Sequence, residues 1–428
     1  MPSIYDYGFD KFLNKPSATL YTPAVYDALG EMIDQNQVVG LKTTLDGIST
    51  TFDATVGVTG ANYQTIGLAL SAGKSRLLVV DNTTEVATLN PSGNLLIYIE
   101  AGKKVDMGNN LFRIPGAKYL DIRGDAGAEI EWALTSAQPV FTAVQTTSVL
   151  RLDGLILDNN STVGSANVWK DGIGVITNCE VQLPNQADCG ISINASKSVL
   201  RNIILTGGGT SCTLGLDMQA VTGAQASQIY VDGTWSAIST VAAIRVESAM
   251  ISDITFNHTD VALNTPQLEV DSDAVVIDVR NIAPRILHLR VNGANAICKN
   301  VDLNGQGTVR LDAADFCQLT NIVTTGELDD VAANNNGRFT NCRFELASSI
   351  EGDRHKFVDC EFIAGATVLS GADNNGFINC QFGADAGGGA ATITINATSN
   401  NTRVVSCMTD AAISDAGTGT VLSANVVY

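Results

Sequence analysis

Charge is scarce in this chain: Asp, Glu, Lys and Arg together make up 16% of its 428 residues. Long amphipathic helices draw on Lys, Glu and Leu, so the shortage argues against a helical fold. The abundance of Gly, Ala, Ser, Thr, Asn, Val and Ile predicts a mostly β one. Basic residues are the scarcer sign, 25 against 44 acidic, for a formal charge of −19. Nucleic-acid binding requires Lys and Arg clusters that are missing, and the same charge disfavours an anionic membrane surface. No apolar run approaches the length of a membrane span, and the opening MPSIYDYGFDKF lacks the basic-then-apolar pattern of a secretory signal. The expectation is a protein made in a cytoplasm, with no membrane insertion. Three histidines (His258, His288, His355) lie far apart and no CxxC pair occurs, so neither a metal site nor a cofactor is expected. No Ser-His-Asp spacing, P-loop or G-x-G-x-x-G after a strand emerges. Nine cysteines is an odd number, and several share one repeat position, which reads as small apolar core residues rather than disulfides.

What the chain does have is a repeat. R338-F-T-N-C-R-F344, K356-F-V-D-C-E-F362 and G376-F-I-N-C-Q-F382 each carry Phe at −3, Asn or Asp at −1, Cys at 0 and Phe at +2. Their cysteines are Cys342, Cys360 and Cys380. A cassette recurring at about 20 residues marks a solenoid, and the short polar-apolar alternation says its coils are strands. Looser copies run upstream: L152-D-G-L-I-L-D, V175-I-T-N-C-E-V, L200-R-N-I-I-L-T-G, S227-Q-I-Y-V-D-G, M250-I-S-D-I-T-F, L287-H-L-R-V-N-G, I297-C-K-N-V-D-L and L319-T-N-I-V-T-T-G. V404-V-S-C-M-T follows the regular copies. Between Ile254 and Val301 the register is lost, and an inserted loop is expected there.

The Asn-like position has a physical reading. Asn178, Asn202, Asn300, Asn321, Asn341 and Asn379, with Asp253 and Asp359, each precede an inward residue. Asn and Asp tolerate left-handed backbone, and a sharp bend there lets Phe at −3 and Cys at 0 both face the core. In a straight strand they would lie on opposite faces. With strands about 4.8 Å apart, some 13 coils would make a rod on the order of 60 Å long.

Ahead of the repeat, residues 1–21 are aromatic and polar without a period. Thr22-Pro23 predicts a helix to about Val38, a Thr- and Gly-rich linker follows, and a second helix is expected at Tyr63–Ala72, stopped by Gly73. Apolar strands are expected at Leu77–Val80, Val86–Leu89, Leu95–Ile99 and Tyr119–Ile122. With S71-A-G-K-S-R-L-L-V-V80 and N94-L-L-I-Y-I-E-A-G102, this order resembles the start of a pectate-lyase-like right-handed parallel β-helix, in which a short helix plugs the N-terminal end. The layout is most similar to a bacteriophage tailspike or related virion appendage. That resemblance implies an all-β, single-stranded parallel β-helix with short N-terminal helices. Residues 1–61 would be an attachment arm, helix and linker, 62–410 the solenoid, and 411–428 a capping strand. It further implies a homotrimer located in the virion, whose arm holds a tail or capsid protein and whose rod meets a host-surface glycan. A glycan-cleaving depolymerase and a non-enzymatic decoration protein are the alternatives.

Glycoside cleavage needs two carboxylates about 5–9.5 Å apart, reachable across neighbouring coils or at i and i+2 of one strand. Asp232 with Asp253, and Glu247 with Asp253, are the catalytic candidates, with Glu345 and Glu361 a further pair. Trp169 and Trp235 are the candidates for stacking on sugar rings if they reach the surface. The run Glu269-Val-Asp271-Ser-Asp273 is another carboxylate candidate, expected on an outward loop, and Glu351-Gly-Asp353-Arg354-His355 is expected on a polar turn. Solvated carboxylates are the ordinary content of such a surface, so these pairs name places to look.

Overall fold

The computed structural model describes residues 52–427 apart from short stretches at 144, 165–166, 170–171, 187–189, 210, 213, 220–222, 236–241, 258–266, 283–286, 305–306, 332–333 and 384–391. The aromatic segment 1–21, the helix expected at Thr22–Val38, Cys189 and His258 lie outside the described residues. Residues 54–428 form a unit of their own, a parallel β-solenoid of about 13 turns. Among the described residues its strands fall into a 26-stranded sheet, an 11-stranded sheet and a two-stranded one, and every paired register is parallel.

One coil shows how the sequence makes the turn. Ile173–Gln182 is a strand whose burial alternates up to Thr177, breaks at exposed Asn178, and resumes with buried Cys179 and Val181. Asn178 has φ 54°, in the left-handed region, so the chain bends and both halves keep an apolar face inward. The same backbone state recurs at Asn202, Gln228, Asp253, Asp278, Asn300, Asn321, Asn341, Asp359, Asn379, Ser406 and Ala424, with φ between 53° and 58° throughout. All eight Asn and Asp residues read from the sequence as bend formers are in this column. Their amides bond from coil to coil: Asn202 Nδ2 to Asn178 Oδ1 at 2.9 Å, Asn321 Nδ2 to Asn300 Oδ1 at 2.7 Å, and Asn341 Nδ2 to Asn321 Oδ1 at 2.9 Å.

The bend divides each coil into a first face before it and a second face after it. A third face is made by short strands from Ile191–Ile193 to Ser414–Asp415. Between the third face and the next first face runs another left-handed column: Ser248, Asp273, Asn295, Phe316, Asn336, Arg354, Asn374 and Asn401, φ 52° to 61°. Here the N–H of one coil donates to the carbonyl of the residue before the corner in the next. Asn295 binds Asp315, Phe316 binds Asn335 and Asn336 binds Asp353, at 2.8, 2.8 and 2.9 Å.

Aromatic rings fill the core at the Phe-Cys coils. Phe339, Phe357 and Phe377 stack with centroids 4.4 and 4.8 Å apart, and Phe344, Phe362 and Phe382 at 5.4 and 5.2 Å. Cys342, Cys360, Cys380 and Cys407 are free and buried between these columns. At the other end a helix, Ile66–Ser71, buries Ile66 and Ala69. Thr65 is its N-cap, accepting from Leu68 N–H at 3.1 Å, and Glu85 from the next coil accepts from the N–H groups of Ile66 and Gly67 at 2.7 and 3.0 Å. Burial raises the Glu85 pKa, and those two amides only partly oppose it.

Three expectations are corrected. The register is not lost between Ile254 and Val301: Val275–Asn281 is a full coil strand, paired with Met250–Phe256 before it and Ile297–Asp302 after it, with Asp278 at its bend, while 258–266 and 283–286, where an inserted loop would sit, lie outside the described residues. The misreading came from L287-H-L-R-V-N-G, which belongs to the third face as His288–Val291. Glu269 is not on a loop but in the third-face strand Gln267–Val270, and it is 8% exposed. Near the N-terminus, the strand expected at Val86–Leu89 is replaced by a two-residue strand, Thr83–Thr84, and a single bridge at Leu89. The C-terminal segment carries the coil cassette: Val421–Ser423 and Val426–Val427 pair in parallel with Arg403–Val405 and Met408–Thr409.

Candidate functional site

The third face is laid out by a second, shorter cassette: an inward apolar residue, an outward polar one, and an inward residue. I191-S-I, L216-D-M, I244-R-V, L268-E-V, L289-R-V, V309-R-L and L328-D-D are its copies, and the outward residue is polar in every strand. Parallel register stacks Ser192, Asp217, Arg245, Glu269, Arg290, Arg310, Asp329, Ser349, Thr367, Thr394 and Ser414 in one row. Two residues further along each strand, Glu247, Asp271, Asn292 and Asp312 form a parallel row on the same side. The sequence held this signal, but a tripeptide is too short to stand out against the longer bend cassette.

Opposite charges alternate over the middle of the row. Arg245 makes a two-pronged pair with Asp217, both contacts at 2.9 Å, and Asp217 is 7% exposed. Arg290 reaches Glu269 at 3.6 Å and Asp312 at 2.6 Å, and Arg310 binds the other oxygen of Asp312 at 3.0 Å. Burial works against the Asp312 charge, but the bonds from Arg310 and Arg290 outweigh it and hold the pKa below the usual range. The Asn292 amide donates to both Glu269 and Asp271, at 3.3 and 3.1 Å, so these two carboxylates converge on one group. Burial first, and then the Glu269 charge, push the Asp271 pKa up to about 6; Asn292 and Arg245 oppose the shift and Glu247 adds to it. A carboxyl that titrates near pH 6 beside carboxylates bound by arginine is the kind of pairing that general acid–base chemistry uses.

The structure disperses most of the residues nominated from the sequence. Glu247 is in this patch, beside Asp271. Asp253 is at a bend, in register with Gln228 and Asp278 on the far side of the first face. Asp232 is on the second face, four positions beyond the bend level of Asp253, roughly 13 Å along the strand. Neither Asp232 with Asp253 nor Glu247 with Asp253 forms a pair. Trp169 and Trp235 are 0% and 1% exposed; their indole N–H groups donate to the Gly172 and Asp232 carbonyls at 3.0 and 2.8 Å, so both rings belong to the core and not to a sugar platform. Glu345 and Glu361 do approach one another, through Arg343 at 3.2 and 3.4 Å. His355 is buried, its Nε2 3.1 Å from Asp330 and its Nδ1 accepting from Gly337 N–H at 2.9 Å, as a structural group of the corner.

A second cluster escaped sequence reading. On the second face, Glu129, Glu131 and Asp158 bring carboxylate oxygens within 4.8 Å of one another. Lys104, in register one coil earlier, pairs with Glu129 at 3.2 Å and also with Glu131, and Asn160 donates to Glu131 and Asp158 at 2.8 and 3.0 Å. The ammonium of Lys104 already supplies the positive charge that these acids call for. The third face therefore holds the larger set of ordered, half-buried polar groups.

No family model matches the chain, and no curated protein does. Among solved structures, a protein described as Geobacillus virus E2 ORF18 aligns with 94% of this chain at 13% identity and a TM-score of 0.20. The aligned part covers 63% of that viral protein's length. Similarity this slight says nothing of what the present chain does.

Proposed function

We propose that this protein is a virion appendage of the tailspike kind, whose solenoid recognises an extended polysaccharide on the host surface. The observation that carries the reading is the third-face row, in which register-locked outward residues are polar in every strand from Ser192 to Ser414. Successive rungs repeat at about 4.8 Å, close to the length of one pyranose unit, so a linear glycan lying along the row meets a hydrogen-bonding group at each sugar. Parallel pairing of every rung supplies rigidity, and rigid groups lose little entropy on binding. In this reading residues 1–61 attach the protein to a tail or capsid protein, and three copies assemble side by side.

Incubating the purified chain with host capsule or lipopolysaccharide and measuring retention tests the proposal. Retention abolished by Arg290→Ala with Arg310→Ala is expected, whereas retention unchanged in that double variant would remove the third face as the recognition surface. A solution mass at the monomer value would remove the trimer.

One observation favours a cleaving variant of the same appendage, namely Asp271 poised near pH 6 beside Glu269. Release of oligosaccharides that disappears in Asp271→Asn would establish it, and binding without release would exclude it.

A further inference from the structure

Among the described residues, the left-handed corner column has one aromatic member. Left-handed backbone suits Asn, Asp and Gly, whose side chains are short or absent, and is unfavourable for a bulky ring. In this column Asp273, Asn295, Asn336, Asn374 and Asn401 follow that rule, while Phe316 has φ 58°. Ser248 and Arg354 depart from it too, but their polar ends are at home in water. The Phe316 ring is 56% exposed, so burial does not offset the backbone cost. It also interrupts a side-chain ladder: Asn295 Nδ2 donates back to Asp273 Oδ1 at 3.0 Å, and the next rung is the phenyl ring. Fold stability alone would place Asn or Gly here. An apolar residue that is both strained and solvent-exposed points to a contact made with something else.

We infer that Phe316 is an aromatic stacking platform for a sugar ring of the bound glycan, at the rim of the third-face row. This rests on the proposed recognition of a polysaccharide and names one residue of that site. Phe316 lies four residues beyond Asp312, the carboxylate shared by Arg290 and Arg310, so it closes the row on its first-face side. Its in-register neighbours one coil either side are the amides of Asn295 and Asn336. A lone ring among amides and charges matches the mixed surface of a sugar, an apolar C–H face rimmed by hydroxyls. A protein partner would call for a contiguous apolar patch instead.

The test uses the full-length protein and a panel of soluble neutral and hexuronic oligosaccharides, with binding followed by saturation-transfer NMR and titration calorimetry, and thermal unfolding recorded in parallel. Phe316→Asn is expected to raise Tm by about 1–2 °C, because Asn tolerates the left-handed corner, and to weaken oligosaccharide binding about tenfold or more. Phe316→Tyr and Phe316→Trp keep a stacking face and are expected to bind within about threefold of the parent protein. Binding unchanged in Phe316→Asn would overturn the inference while leaving polysaccharide recognition intact. A lower Tm in that variant would also overturn it, by showing that the ring serves the fold. A parent protein that binds none of the panel would sink the wider proposal along with it.

Discussion

The Phe-Cys coils and the coils of the charged row use the same bend but invest in opposite sides of the sheet. In the Phe-Cys coils the bends fall close together, at Asn341, Asp359 and Asn379, and the inward positions carry two stacked Phe columns with a thiol column between them. Outward, their third-face residues are the small Ser349, Thr367 and Thr394. The coils bent at Asn202, Gln228, Asp253 and Asp278 are longer, their core is mostly aliphatic with Trp235 and Phe256 as the aromatic exceptions, and their outward row holds Asp217, Arg245, Glu269 and Arg290. Aromatic stacking fixes coil spacing from inside and leaves the surface undemanding. Where the core is aliphatic, ion pairs across coils add a second register on the outside. Coil length and outward chemistry thus vary independently of the bend, which lets one backbone serve both as a rod and as a surface.

Four changes would break or sharpen that contrast. The largest effect is expected from Phe357→Ala, which opens a cavity inside both the Phe339–Phe377 stack and its edge contact with Phe362; a loss of about 3–5 kcal/mol should appear in urea unfolding. Arg245→Ala should cost about 1–2 kcal/mol, because Asp217 is left buried without its partner, and Arg245→Ala with Asp217→Asn should recover part of the loss. At the shared bend, Asn321→Ala should cost about 1 kcal/mol and Asn321→Gly much less, since only the alanine carries a Cβ into left-handed backbone. The smallest effect is electrostatic and depends on pH. The Asp271 carboxyl binds its proton more tightly folded than unfolded, so its contribution to stability is fully present below about pH 4 and is lost as pH rises through about 6. Asp271→Asn should therefore stabilise the protein at pH 8 relative to pH 4 in chemical unfolding. His288 runs the other way. Burial depresses its pKa, so its contribution is present above about pH 6.5 and declines as the solution is acidified.

Much of the fold was legible because the bend has a local cause. Eight Asn and Asp residues announce left-handed backbone by their own chemistry, and Phe at −3 with Cys at 0 follows from that bend. Asp278 is hidden because the third-face copy L287-H-L-R-V-N-G resembles a coil strand and displaces V275-V-I-D-V-R-N281 from the count, and Gln228, Ser406 and Ala424 because their side chains give no bend signal. The candidate site was less visible. Glu247 was nominated with the wrong partner, Asp253, since sequence distance suggests adjacency that the corner destroys. Trp169 and Trp235 were judged by residue type, and whether an indole faces the core depends on the parity of its strand and the turn before it.

By itself the sequence determined that the chain is a parallel β-solenoid, where eight of its bends fall, and that Phe and Cys fill the regular coils. These are local properties of backbone preference and of a repeating apolar pattern. Only the tertiary structure decided that Asp217, Arg245, Glu269, Arg290 and Asp312, separated along the chain by a full coil at each step, stand as neighbours. It also decided that Phe316 occupies a corner built for asparagine. Coil stacking converts sequence distance into a few ångströms, and the length of each turn sets which residues meet. No single turn carries that information, because register is settled by the sum of all the coils beneath it.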